Sequence, residues 1–203
     1  MAESIYKGNI EDFNKKMQFL MIADQMKGIY RQTILMDKSR RETDAEHSWH
    51  IALMAMVLSD YAPKGTDINR VIKMVLVHDL VEIYAGDTFC YDYKASQDKE
   101  KREMEAANRL FSIIPDGEEY KKLWIEFDEK ESPDAIFAAA LDCLQPFMNN
   151  FITDGHTWRK GGVTLQKVQK RMAVIEKGLP AAWELVQKII VDSVEKGYIK
   201  EGE

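Results

Sequence analysis

The run Val77-His78-Asp79-Leu80-Val81-Glu82 sets an imidazole and two carboxylates into an otherwise apolar stretch: Val71, Ile72, Met74, Val75, Leu76, Val77. Burying such groups unpaired costs roughly several kcal/mol, and one metal ion is the simplest partner that satisfies them together. Two residues elsewhere extend the set. His47 shares a helical face with Ile51, Met54, Leu58 and Tyr61, which turns it towards the interior. Asp142 follows Ala138-Ala139-Ala140-Leu141, small residues that let another helix approach closely. Alone, His47 reads as a hydrogen-bonded core histidine and Asp142 as the cap of a neighbouring helix. Jointly, two His and two Asp make a mixed nitrogen–oxygen site for one divalent cation such as Mn²⁺, Co²⁺, Fe²⁺ or Mg²⁺, with positions left open for water and substrate. A structural zinc is more often closed by four Cys or His. Such an ion polarises a phosphoryl oxygen and lowers the pKa of a water. Glu82, one turn beyond His78 and Asp79, is placed to move the proton or to support a ligand histidine by a hydrogen bond.

The elements that must carry these residues read as helices nearly throughout. Asn9 caps a first helix with Ile10, Phe13, Met17, Leu20 and Met21 on one face, closed by Gly28. Thr43-Asp44-Ala45-Glu46 is a capping box that opens a second helix, to about Tyr61. A third is expected from Ile68 to Ala85, stopping at Gly86, then a polar stretch from Asp87 to Ser96 and a charged helix ending at Ile114-Pro115. A shorter helix covers about Glu118 to Lys130. Pro133 suits the first turn of the next, which carries Asp142 and which Pro146 should kink or end. Thr164 caps a helix to about Lys177, and Pro180 opens the last one, which ends at Gly197. No β-alternation is evident. The expected fold is an all-α, compact single-domain bundle over residues 1–203, its metal-site core at about 10–150 and C-terminal helices at about 164–197 packed on it.

Composition narrows the partners. Twenty-eight Lys and Arg against 34 Asp and Glu give a net charge of −6, which argues against a nucleic-acid polymer. A small phosphate ester needs only a local group of cations, and Lys27, Arg31, Lys38, Arg40 and Arg41 supply one. No apolar run reaches bilayer length, the stretch from Met1 to Ile10 lacks the features of a secretory signal, and Cys90 and Cys143 occur singly, so a reducing cytoplasm is the default. Three other features read as structural. His50 suits packing or support of the site, His156 a surface loop, and the methionines at 17, 21, 26, 54, 56 and 74 core filling. With no further well-placed His pair, one metal ion is expected rather than two.

The order His47, His78-Asp79, Asp142 resembles the H…HD…D signature of the HD-domain superfamily of metal-dependent phosphohydrolases. Glu46-His47-Ser48 and the segment from Val77 to Thr88 (VHDLVEIYAGDT) are most similar to its 5′-deoxynucleotidase branch, over most of residues 10–150. The resemblance implies that His47, His78, Asp79 and Asp142 hold one divalent metal and that Glu82 is catalytic. It further implies that Asp87 contacts the sugar 3′-hydroxyl, that Arg31 holds the 5′-phosphate, and that the chain forms a homodimer. The expected reaction is hydrolysis of a nucleoside 5′-monophosphate to nucleoside and phosphate. Another phosphoester, a nucleoside triphosphate or a cyclic nucleotide, is the alternative within the superfamily, and a non-catalytic, metal-stapled binding module the alternative outside it. Bacterial members of the branch can follow the arginine with Trp, which helps tell deoxyribose from ribose. Here Gln32-Thr33 follows, so deoxyribose selectivity is not implied.

Overall fold

The chain is described by a computed structural model over residues 9–91 and 98–202; the start of the N-terminal stretch and the end of the polar stretch, residues 92–96, lie outside them. α1 (Ile10–Ala23) starts where expected, the Asn9 side chain accepting from the Glu11 N–H at 2.9 Å, and tightens into a 3₁₀ turn over Asp24–Gly28. Its apolar face is the outward one: Phe13, Met17, Leu20 and Met21 are exposed, and Phe19 is the residue that packs inside.

A hairpin of β1 (Tyr30–Ile34) and β2 (Arg41–Thr43), with Tyr30 opposite Thr43 and Ile34 opposite Arg41, follows. It departs from the helical reading, as does, among the described residues, a single parallel bridge between Thr164 and Lys200. No alternation announces the hairpin, because the pairing is reinforced by a side chain: the Arg41 guanidinium donates to the carbonyls of Tyr30 and Arg31 across the ladder. α2 (Asp44–Val57) opens on the complete capping box, Thr43 and Glu46 bonding reciprocally. It stops short of Tyr61, and a separate 3₁₀ turn covers Ser59–Tyr61.

The third helix does not run unbroken to Ala85. α3 (Ile68–Val77) ends at His78, and the chain then turns through i→i−3 bonds, Leu80 N–H to Val77 and Glu82 N–H to Asp79, before α4 (Glu82–Ala85) closes at Gly86, φ +78°. His78 and Asp79 therefore sit at the break, and Asp79 and Glu82 are drawn into one tight turn.

α5 (Lys99–Phe111) and α6 (Gly117–Glu129) lead to α7 (Pro133–Ile152), which the Ser132 hydroxyl caps at Ala135. α7 continues through Pro146; the N–H that proline lacks is the one an α-helix would aim at the carbonyl of Asp142. Beyond it lie α8 (His156–Gly161), α9 (Leu165–Gly178) and α10 (Pro180–Glu195). Thr164 precedes α9 without a side-chain cap bond; there the Leu165 N–H pairs with the Lys200 carbonyl instead. Met26 and Met74 are buried, whereas Met17, Met21 and Met56 are exposed, so core filling holds for only part of the methionine set.

One apolar cluster joins α2, α3, α7, α9 and α10 through residues such as Ile51, Met74, Phe137, Leu141 and Ile175; another joins Phe19, Val81, Leu110 and Trp124. α9 lies directly on α7, and the contact is made by small residues. A Cβ at Gly178 would stand 2.4 Å from the Ile136 carbonyl oxygen and 2.7 Å from the Ala140 Cβ. Among the described residues no helix is long and apolar enough to cross a membrane. Replacing Gly178 by Ala should separate the two helices and lower stability by about 1–3 kcal/mol in urea unfolding; an unchanged midpoint would mean that α9 is free to shift without loss.

Candidate metal centre

His47 in the first turn of α2, His78 and Asp79 at the end of α3, and Asp142 midway along α7 converge. His47 Nε2 is 3.1 Å from Asp142 Oδ1 and 3.9 Å from Asp79 Oδ2. His78 Nε2 is 3.0 Å from Asp79 Oδ2 and 3.7 Å from Asp142 Oδ1. Both rings turn the same nitrogen towards the carboxylates, because Nδ1 is engaged elsewhere: that of His78 by the Val75 carbonyl at 2.7 Å, that of His47 by Gln145 Oε1 at 2.9 Å. The ligand atoms of His47, His78 and Asp79 all lie within 4.8 Å of one another.

The donors fit a divalent cation. His78 Nε2 is buried and, although close to Asp79, has no aligned hydrogen-bond partner, which is the orphaned lone pair a metal would take. Separations near 3 Å are also what neighbouring ligands about 2.1 Å from a shared ion show. With the protein's own groups alone, burial works against the His78 imidazolium, but Asp79 and Asp142 outweigh it and push the pKa up to about 10. Burial likewise works against the Asp79 and Asp142 carboxylates. The neighbouring His78 and Arg31 nevertheless hold Asp79 below the usual range, and the hydrogen bond from His47 with the nearby charge of His78 and Arg171 holds Asp142 there.

Arg31 reaches this centre from β1. Its Nη1 donates to Asp79 Oδ2 at 2.7 Å and to Asp44 Oδ1 at 3.1 Å. The other members of the basic group do not join it: Lys27 pairs with Asp24, Lys38 with Asp154, Arg40 with Glu46, and Arg41 with backbone carbonyls. Glu82 and Asp87 line the same cavity as Arg31, His78, Asp79 and Asp142. Burial first, then the carboxylates of Asp79, Asp44 and Asp87, push Glu82 up to about 11. Asp44 is raised to about 7 by burial and Asp79, against Arg31; Asp87 is raised chiefly by burial. The carboxylate oxygens of Asp44, Glu82 and Asp87 lie within 4.8 Å of one another, and Asp44 Oδ2 and Glu82 Oε2 are buried without hydrogen-bond partners. This second carboxylate group could hold a cation of its own, a prospect that counting histidines did not raise.

A family model for the HD domain matches residues 23–183. The chain belongs to the HD-domain family. The crystal structure of a predicted metal-dependent phosphohydrolase from Magnetospirillum magnetotacticum MS-1 is 47% identical to this HD-domain chain, with a TM-score of 0.88 over 93% of this chain and 95% of the other. An HD-domain phosphohydrolase of Listeria innocua, 17% identical, shares the fold at a TM-score of 0.61 over 91% of this chain and 92% of its own. Among curated proteins, the 5′-deoxynucleotidase HDDC2 of Homo sapiens is 30% identical over 129 residues, 62% of each chain, and that of Danio rerio 28% over 132 residues, 64% of each. The chain thus spans somewhat under two thirds of the length of these curated relatives.

Three site residues escape the sequence. Asp44 reads as an ordinary acidic residue in a first helical turn, yet it is fully buried beneath Arg31. Arg171 of α9 carries no motif that marks it, yet its Nη2 lies 3.3 Å from Asp142 Oδ2 at the cavity wall. Gln145 has no signal beyond standing three residues after Asp142. His50 touches Gln145 at 3.3 Å, and His156 is exposed at the start of α8.

The raised pKa values set a pH signature. His78 stabilises the folded state fully below its unfolded value of about 6.5, and this stability is lost as pH rises through about 10. Protonated Glu82 acts in the same direction. Chelator-treated protein should therefore melt at progressively lower temperature between those limits, while protein loaded with Mn²⁺ or Co²⁺ should lose less, the cation replacing the proton. Parallel pH profiles for the two forms would contradict a cation at this position.

Proposed function

We propose that this HD-domain chain is a metal-dependent phosphohydrolase, and that its substrates are nucleoside 5′-monophosphates, cleaved to nucleoside and phosphate. The observation that carries the reading is the meeting of two imidazole Nε2 atoms and two aspartates, one ring nitrogen without a protein partner, in a cavity shared with an arginine and an acid. Similarity to a predicted metal-dependent phosphohydrolase along nearly the whole chain supports the chemistry, and similarity to the 5′-deoxynucleotidases of Homo sapiens and Danio rerio supports the substrate class.

His47, His78, Asp79 and Asp142 would hold the ion. When bound, a divalent cation supplies Lewis acidity for a phosphoryl oxygen and an attacking water. Arg31 gives the phosphate a planar fork of donors, fixed in place because Asp44 and Asp79 grip Nη1. Glu82, itself buried, would deliver its proton to the departing 5′-oxygen and, as a carboxylate, take up the proton that the attacking water gives up. Asp87 accepts from the sugar. Gln32 also lines the cavity, and its Oε1 accepts from Lys160 at 3.4 Å, so that position offers a tethered polar group and no aromatic plate against the sugar. In this reading the enzyme is a homodimer of the cytoplasm. The exposed face of α1 is an apolar surface of the kind subunit contacts use, and the free thiols of Cys90 and Cys143 suit a reducing compartment.

Phosphate release should be measured over deoxy- and ribonucleoside monophosphates with Mn²⁺, Co²⁺ and Mg²⁺. Turnover of at least one monophosphate is expected, with ribo- and deoxyribonucleotides both accepted; inactivity of the folded, metal-loaded protein on all of them would overturn the reading. Glu82→Gln should keep the cation and lower kcat by about 10²–10⁴-fold. A variant as active as the parent would remove Glu82 from the chemistry. In sedimentation analysis the protein should run at twice its chain mass, and a monomer would rule out the dimer.

A further inference from the structure

We infer that Glu42 and Gln145 are positioning residues that fix the His47 ring for the cation: Glu42 orients the Gln145 amide, and the amide holds the proton on His47 Nδ1. The inference rests on the metal reading of the centre but not on its being a phosphatase.

Every hydrogen bond in the chain of contacts points one way. Glu42, at the end of the hairpin and 2% exposed, accepts at Oε2 from the Thr33 hydroxyl at 3.1 Å and the Asn149 amide at 3.4 Å, and at Oε1 from Gln145 Nε2 at 2.6 Å. A carboxylate can only accept, so Gln145 must turn its NH₂ and not its oxygen towards Glu42. The second hydrogen of that NH₂ lies towards His50 Nδ1, 3.3 Å from Nε2. With both hydrogens committed, Gln145 Oε1 is left 2.9 Å from His47 Nδ1, where it can only accept. With a cation in place of the proton that Asp142 Oδ1 otherwise accepts from Nε2 at 3.1 Å, the ring carries one proton; the amide keeps it on Nδ1 and leaves the Nε2 lone pair for the cation, beside Asp79 and the orphaned Nε2 of His78.

The opposite amide orientation would put a donor against Nδ1 and drive the proton to Nε2, where it would exclude a cation. Glu42 is what forbids that orientation. Its own partners come from the hairpin and α7, so the ring of α2 is set by two other elements. His78 needs no such device, since its Nδ1 is held by the Val75 carbonyl one turn back on the same helix.

The test is Co²⁺ titration of the full chain by calorimetry and visible absorption, alongside long-range ¹H–¹⁵N spectra of the histidines in protein titrated with diamagnetic Zn²⁺. Gln145→Leu should weaken Co²⁺ binding by about 10–100-fold and populate the Nε2–H form of His47. Glu42→Gln should act in the same direction by a smaller factor. The double variant Glu42→Gln/Gln145→Glu restores a donor–acceptor pair, with the introduced carboxylate accepting from Nδ1, and should recover most of the lost affinity. If Gln145→Leu fails to fold, Glu42→Gln and the double variant decide the question. Variants that lower the melting temperature but leave Co²⁺ affinity and the His47 tautomer unchanged would reduce the pair to a packing role and overturn the inference. A parent protein that binds no Co²⁺ would overturn it together with the metal reading.

Discussion

Negative charge concentrated in a small volume is the constraint on which the rest of the structure depends. Asp79 and Asp142 approach the same pair of imidazoles, and Asp44, Glu82 and Asp87 gather on the other side of Asp79. Arg31 lies among them with one nitrogen shared between Asp44 and Asp79, and Arg171 covers the outer oxygen of Asp142. Two guanidinium groups do not neutralise five carboxyl groups. Of the three left over, two are met by protons, on Glu82 and His78, or by a divalent cation in their place. A fold that merely sought stability would have little reason to bury such a set, since apolar residues of similar volume often serve as well or better. Its retention inside an apolar bundle is the physical argument for function.

The helices are arranged to make this convergence geometrically possible. Asp142 reaches His47 and His78 because α7 is built of alanine just before it, and Arg171 reaches Asp142 because α9 meets α7 at Gly178. The turn after Val77 serves the same end. Had α3 continued unbroken to Ala85, Glu82 would follow Asp79 at ordinary helical spacing; the i→i−3 bonds tighten that spacing at the cavity wall.

Local signals were legible because they act within a few residues. The capping box at Thr43, the cap at Asn9, the proline at the start of α7 and the inward face of His47 all rest on neighbours three or four positions away. The order His47, His78-Asp79, Asp142 was legible as a family pattern. What could not be read depends on partners distant in sequence. Asp44 in a first helical turn is favourable for the helix dipole whether or not it is buried, so nothing local says that Arg31 will cover it. The hairpin is held partly by the Arg41 side chain, which leaves no period-two trace. Arg40 and Arg41 look like phosphate ligands beside Arg31, and only the fold shows them engaged with Glu46 and with backbone carbonyls.

The two histidines of the centre illustrate how differently such a site can be held. His78 is oriented from within its own helix, so its direction survives as long as the last turn of α3 does. The His47 ring is bracketed by one turn of another helix: Asp142 meets Nε2 at 3.1 Å and Gln145, three residues on and therefore on the same face, meets Nδ1 at 2.9 Å. Any sliding of α7 along α2 must disturb both contacts at once. The proline at 146 lies directly after this turn and withdraws the hydrogen bond that would otherwise end at the Asp142 carbonyl, yet the helix persists, carried by its packing against α3 and α9. The placement of the His47 ring is thus a property of how α2 and α7 pack. That is why small residues on α7 and α9, far from any chemistry in sequence terms, belong to the same design as the HD pair.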